Sequence, residues 1–145
     1  ALVDDVAGGY PKRVAVGLDQ QRLAMHLAVL HRHCGITLGD QDDFANVVGG
    51  VRIAETGADL AILLAVLSSF RDRILPRDLL VFGELGLTGE LRPVANGQER
   101  LREAAKHGFK RAIVPFANRP KDSLPNMAVH GVKNLHSALE VVAGL

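Results

Sequence analysis

The stretch LLVFGELGLTGELRPVANGQERLREAAKHGFKRAIVP, residues 79–115, decides the fold. Leu79 to Phe82 is a short apolar run led in by Asp78, the pattern of a buried strand. Gly83, Gly86 and Gly89 recur at intervals of three between branched residues, which suggests a tight β ribbon. Gln98 to Lys106 then reads as a helix, and Ala112 to Pro115 as a second strand. Strand and helix alternating in this way argue for an α/β layer fold, with helices packed on a sheet.

The same alternation continues outward. Downstream, a strand near Met127 to Val129 precedes a last helix from Ser137 to about Val142. Upstream, Ala58 to Phe70 is the most apolar segment, helical by length and by its Ala/Leu content. Little of its surface is polar, so it is expected to be buried on most sides. Pro76 closes the connection that follows it. Phe44 to Ile53 reads as a Val-rich buried strand after an acidic loop at Gly39 to Asp43. Before that loop, Leu23, His26, Leu27 and Leu30 recur at helical spacing, with Asp19 as N-cap and Gly35 at the C-terminal stop. Arg13 to Gly17 is a short strand, and residues 4–12 (DDVAGGYPK) are turn chemistry. No internal repeat is present.

The bulk numbers bound the function. A chain of 145 residues with 48% apolar content fits one domain with a sizeable core. A formal net charge of +1 excludes an acidic tail or a basic nucleic-acid arm, so any nucleic-acid role needs a local patch. Cys34 is the single cysteine, which excludes an internal disulfide and a cysteine-built zinc site and fits a reducing, cytoplasmic setting. No secretory signal is seen, and the longest apolar run, Leu60 to Leu67, is too short to span a bilayer. The opening Ala1-Leu2-Val3, without an initiator methionine, suggests a fragment of a larger protein.

The blocks VGLDQQRLAMHLAVL (16–30), NVVGGVRIAETGADLAILLAVLSS (46–69), FGELGLTGELRPV (82–94) and QERLREAAKHGFKRAIVP (98–115) carry a family resemblance. The stretch from Asn46 to Pro120 resembles the proteolytic domain of Lon, and the ordered blocks resemble above all the Lon-like C-terminal domain of the RadA (Sms) family of bacterial DNA repair proteins. The likeness covers most of the chain outside the first dozen residues and the last twenty. It implies a mixed α/β sheet with packed helices, as in Lon peptidase domains and a ribosomal-protein βαβ family.

Lon peptidases use a Ser-Lys dyad, with the serine at the start of a buried helix where amides can hold an oxyanion. The resemblance places Gly57 at the serine position, Gln98 at the lysine position, and Phe82 at that of a supporting threonine. Glycine has no side chain to attack a carbonyl, and glutamine accepts no proton near neutral pH. The resemblance therefore implies a single Lon-like domain over 1–145 that is not an enzyme. Thr56 is the alternative, a displaced nucleophile. Ser68 and Ser69 lie roughly 16 Å along the same helix at 1.5 Å per residue and cannot substitute.

Two other patterns have bland explanations. His31, His33 and Cys34 lie close in sequence, but residues at i and i+2 on a helix diverge, and a basic helix end favours the dipole. The glycine-rich ribbon lacks the Lys-Ser/Thr of a phosphate loop, and no helix follows its glycines directly. No Walker A motif occurs, so neither ATP binding nor hydrolysis is expected of this segment alone.

The basic residues carry the binding hypothesis. Arg100, Arg102, Lys106, Lys110, Arg111, Arg119 and Lys121 lie between positions 100 and 121 against only Glu103, and Arg71, Arg73 and Arg77 form a second group. Solvated surface and phosphate contact are the two readings. Arg22, among uncharged neighbours, and Arg52, in a Val-rich run, are candidates for buried ion pairs or for DNA or subunit contacts. The nucleic-acid candidates are thus Arg22, Arg52, Arg71, Arg73, Arg100, Arg102, Lys106 and Lys110. The resemblance implies a hexameric ring that helps hold single-stranded or branched DNA during recombination. The zinc-binding segment and the RecA-like ATPase, with their Zn, ATP and Mg, would lie in absent parts of the parent. The alternatives are a module that binds a peptide or a recombinase, and the displaced-nucleophile peptidase.

Overall fold

The computed structural model describes residues 2–5, 13–16, 19–36, 41–46 and 55–145. Its architecture is α/β, as the alternation of elements predicts. Strands β1 (Leu2–Asp5), β2 (Arg13–Val16) and β3 (Gln41–Asn46) form one sheet in the order β1-β3-β2. β1 is antiparallel to β3, whereas β2 is parallel to it, with Arg13 opposite Asp43. Parallel neighbours need a crossover, and helix α1 (Gln20–Cys34) supplies it. The Asp19 carboxylate accepts from the Gln21 and Arg22 amides at 3.0 and 3.1 Å, and Gly35 ends the helix at φ 68°. Both are the capping roles those residue types favour.

A 3-10 turn (Thr56–Ala58) leads into α2 (Asp59–Phe70). The second sheet is wholly parallel, in the order β4 (Leu79–Val81), β7 (Arg111–Pro115), β8 (Ala128–Val132). Between β4 and β7 lie the ribbon, β5 (Glu84–Leu85) paired antiparallel with β6 (Leu91–Arg92), and α3 (Gly97–Lys106). A second 3-10 turn (Phe116–Asn118) follows β7, and α4 (Leu135–Ala143) closes the order.

The period of two along β7 divides the core. Ile113 joins the side chains of α1, α2 and α4, including Leu30, Leu63 and Leu135. Its neighbours Ala112 and Val114 face the other way, onto Leu101 and Ala104 of α3, with Phe82 and Met127. Helices thus cover both faces of the parallel sheet. None of the helices among the described residues is long and apolar enough to cross a membrane.

Several boundaries differ from the sequence reading, most of them by one residue, and three bear on the argument. β3 starts at Gln41, so Asp42 and Asp43 lie in a strand where an acidic loop is predicted. The ladder explains this, since Asp42 pairs with Asp4 and Asp43 with both Val3 and Arg13, and backbone pairing on two sides outweighs side-chain polarity. The remainder of the predicted Phe44 to Ile53 strand, from residue 47 on, falls outside the described residues. Asp4 and Asp5, read as turn residues, belong to β1. The last helix starts two residues early, at Leu135, because Asn134 caps it by accepting from the Ser137 amide at 2.8 Å.

Candidate functional site

The 3-10 turn before α2 and the end of β4 meet at two glycines. The Gly83 amide donates to the Gly57 carbonyl at 2.8 Å, and the Leu60 amide donates to the Gly83 carbonyl at 3.1 Å. Gly57 is buried. A Cβ on it would stand 3.0 and 3.1 Å from the two methyls of Val94 and 3.1 Å from Glu55 Oε1. The space a nucleophilic side chain would need is therefore filled by Val94. That residue is itself fixed, because Asn118 Oδ1 accepts from its amide at 2.7 Å and Asn118 Nδ2 donates to its carbonyl at 2.9 Å. Gln98 is exposed in the first turn of α3, whereas Phe82 is buried among Leu101, Ala112 and Val114.

Charged pairs surround the turn. Thr56 Oγ1 donates to Glu84 Oε2 at 2.6 Å, and the other Glu84 oxygen lies 3.7 Å from Arg92. Arg92 also approaches Glu90 at 3.4 Å, while Arg100 pairs with Glu55. Glu84 is thus an ion-pair partner as well as the acceptor for Thr56. That is the arrangement of an exposed polar network rather than of a nucleophile beside a free base.

Beneath the turn lies a buried polar cluster. Asp59, the first residue of α2, is only 3% exposed. Arg22 grips its carboxylate bidentately, Nε to Oδ1 at 2.8 Å and Nη2 to Oδ2 at 2.6 Å, and the Leu85 amide donates to Oδ2 at 3.0 Å. The bond to Asp59 raises the Arg22 pKa. A carboxylate at a helix N-terminus also meets a favourable dipole. His26 Nε2 stands 3.7 Å from Asp59 Oδ2 and has no hydrogen-bond partner among the described residues. Burial pushes the His26 pKa down, opposed by Asp59 and reinforced by Arg22.

The structure distributes the nucleic-acid candidates widely. Arg22 is the ion-pair partner of Asp59, and Arg52 lies outside the described residues. Arg73 Nη2 donates to the carbonyls of Ala143 and Leu145 at 3.0 and 3.3 Å, tying the α2–β4 loop to α4. Arg100 is paired with Glu55, and Lys106 lies 3.9 Å from Glu103. Among the described residues, Arg71, Arg102 and Lys110 have no carboxylate partner and are exposed. Arg102 and Lys106 are spaced i and i+4 on α3 and share a helix face. Lys110 follows just before β7, where its amide bonds the carbonyl of Asp78 beside exposed Arg77.

Sequence reasoning missed Asp59, Val94 and Asn118. Asp59 carried a signal, a lone acid inside the apolar run 58–67, which a buried helix tolerates only with a partner. No group of three or more His, Cys, Asp or Glu side chains converges to hold a metal ion among the described residues.

Residues 46–118 match the family model described as subunit ChlI of Mg-chelatase. Over its full 145 residues the chain is 63% identical to the DNA repair protein RadA of Haemophilus influenzae, covering 32% of that protein. It is 64% identical over 141 residues to the DNA repair protein RadA of Escherichia coli, covering 97% of this chain and 31% of the relative. The Bacillus subtilis protein of the same name is 42% identical across 99% of this chain and 32% of its own length. The chain thus spans about a third of the curated relatives it matches. The family match corrects the reading that this segment is not an enzyme: the family is named for an enzyme's subunit, and losing a Ser-Lys dyad bears on peptidase chemistry alone.

Proposed function

This chain belongs to the family described as subunit ChlI of Mg-chelatase, and from that premise we propose that it is the Lon-like DNA-contacting and assembly domain of a RadA-type DNA repair protein. The role in DNA repair is supported by the names of relatives up to 64% identical. The DNA contact rests on one observation: Arg102 and Lys110 stay exposed and, among the described residues, without a carboxylate partner, while the neighbouring Arg100 is neutralised by Glu55. Unneutralised exposed cations are what contact with a phosphate backbone requires. In this proposal the domain assembles as a hexameric ring in the cytoplasm, where each copy's weak contact is multiplied on single-stranded or branched DNA. ATP, Mg and Zn act in the remainder of the parent protein.

The test is fluorescence anisotropy with labelled DNA over a salt series, beside sedimentation of the same chain. Wild-type protein should bind with a steep salt dependence and sediment as an oligomer. Arg102→Glu with Lys110→Glu should weaken binding to every DNA and reduce the slope by about one for each phosphate no longer neutralised. A monomer with no DNA affinity at low salt removes the proposal.

A further inference from the structure

Arg119 is held by three separate contacts, yet it belongs to no ion pair among the described residues. Its guanidinium carbon lies 3.4 Å from the centroid of the Phe116 ring, and its Nε donates to the Phe116 carbonyl at 3.2 Å. Its alkyl stem runs over Gly131 of β8, where any Cβ would collide with Arg119 Cγ and Cδ and would come within 3.3 Å of Phe116 Cα. The Lys133 ammonium approaches the same ring at 4.7 Å and is likewise outside every ion pair among the described residues. Phe116 is nevertheless 38% exposed. These residues follow the carboxyl ends of β7 and β8, the edge at which parallel sheets take their ligands.

An arginine kept only for its charge has no need of a ring beneath it and a glycine under its stem. Phosphate alone would draw the guanidinium outward, and a duplex hides its base faces in its own stack. A fixed guanidinium–phenyl pair with a lysine alongside matches a flat, unpaired base followed by a phosphate. We infer that Phe116, Arg119 and Lys133 form a stacking site for an unpaired base of single-stranded DNA. This rests on the DNA reading above but uses the opposite edge of the sheet from Lys110.

The experiment compares the full chain's affinity for a labelled oligothymidylate, an abasic strand of equal length, and a duplex. The oligothymidylate should bind at least about fivefold tighter than the abasic strand, the lower end of the scale for one stacked base. Arg119→Lys keeps the charge and removes the plane, so it should abolish that preference and leave the other two affinities unchanged. Gly131→Ala displaces the stem without touching the arginine and should do the same, and far-UV circular dichroism checks that each variant folds. Equal wild-type affinity for the base-bearing and abasic strands, or an Arg119→Lys variant that keeps the preference, overturns the stacking site alone. Loss of all binding by the wild-type chain overturns the DNA reading and the site with it.

Discussion

Val94 stands 3.0 Å from the position a Cβ on Gly57 would occupy, and Asn118 holds it there by bonding its amide and carbonyl at 2.7 and 2.9 Å. A valine clamped on both backbone groups cannot yield easily, so Gly57→Ala should destabilise the fold by about 1–3 kcal/mol through overpacking. Val94→Ala removes the offending methyls. In that background Gly57→Ala should cost much less, and a double-mutant cycle by urea denaturation reads the coupling. Equal cost in both backgrounds would mean that Val94 does not close the site.

Asp59 and Arg22 form a part-buried ion pair that links α1 to α2. Asp59→Ala leaves the Leu85 amide without its acceptor and the Arg22 guanidinium without its partner. Breaking a fully buried pair from one side commonly costs about 3–5 kcal/mol, and because the Arg22 side chain is 31% exposed, a loss at or below the lower end of that range is expected on chemical denaturation. Arg22→Ala should be similar in kind, because it strands a carboxylate that is 3% exposed. The double substitution should cost clearly less than the sum of the two. Strict additivity would show that the groups do not act as a pair.

Elements with a strong period were legible in the sequence, and contacts between loops were not. The apolar spacing of Leu23, Leu27 and Leu30 marks α1, and Asp19 and Gly35 mark its ends, because capping is local chemistry. The ribbon is legible from its glycines: Gly89 sits at φ 82°, a left-handed conformation that favours glycine. The start of β3 is not legible, because two partner strands far away in sequence decide that its acidic residues pair. At the candidate site, the uncharged surroundings of Arg22 hinted at an ion pair, but its partner lies 37 residues on and no periodicity points to it. The Asn118 clamp on Val94 joins two loops 24 residues apart and leaves no pattern in the chain.

His26 links stability to pH. Burial lowers its pKa, with Arg22 adding to the effect and Asp59 opposing it, so the folded chain favours the neutral ring. The unfolded chain titrates near the ordinary value of about 6.5, and between the two pKa values it binds more protons than the folded chain. This contribution is therefore complete above about pH 6.5 and is lost as pH falls toward the depressed folded value. Unfolding free energies measured from pH 7.5 down to about 5.5, above the range of most carboxylates, should decline for wild type. His26→Gln should decline less over the same window. Parallel slopes would remove His26 as the source.

Arg71 and Arg73 are two residues apart and should separate stability from binding. Arg73 is committed to the end of α4, where it donates to the Ala143 and Leu145 carbonyls. Exposed bonds of this kind contribute about 0.5–1.5 kcal/mol, so Arg73→Ala should lower stability by that order. Hydrogen exchange at the end of α4 should rise, and DNA affinity should hold. Arg71 is exposed and has no carboxylate partner among the described residues. Arg71→Ala should therefore leave unfolding unchanged and weaken DNA binding, lowering the salt slope by about one. If Arg73→Ala weakened binding at unchanged stability, the capping role would be wrong and the loop itself would belong to the DNA surface.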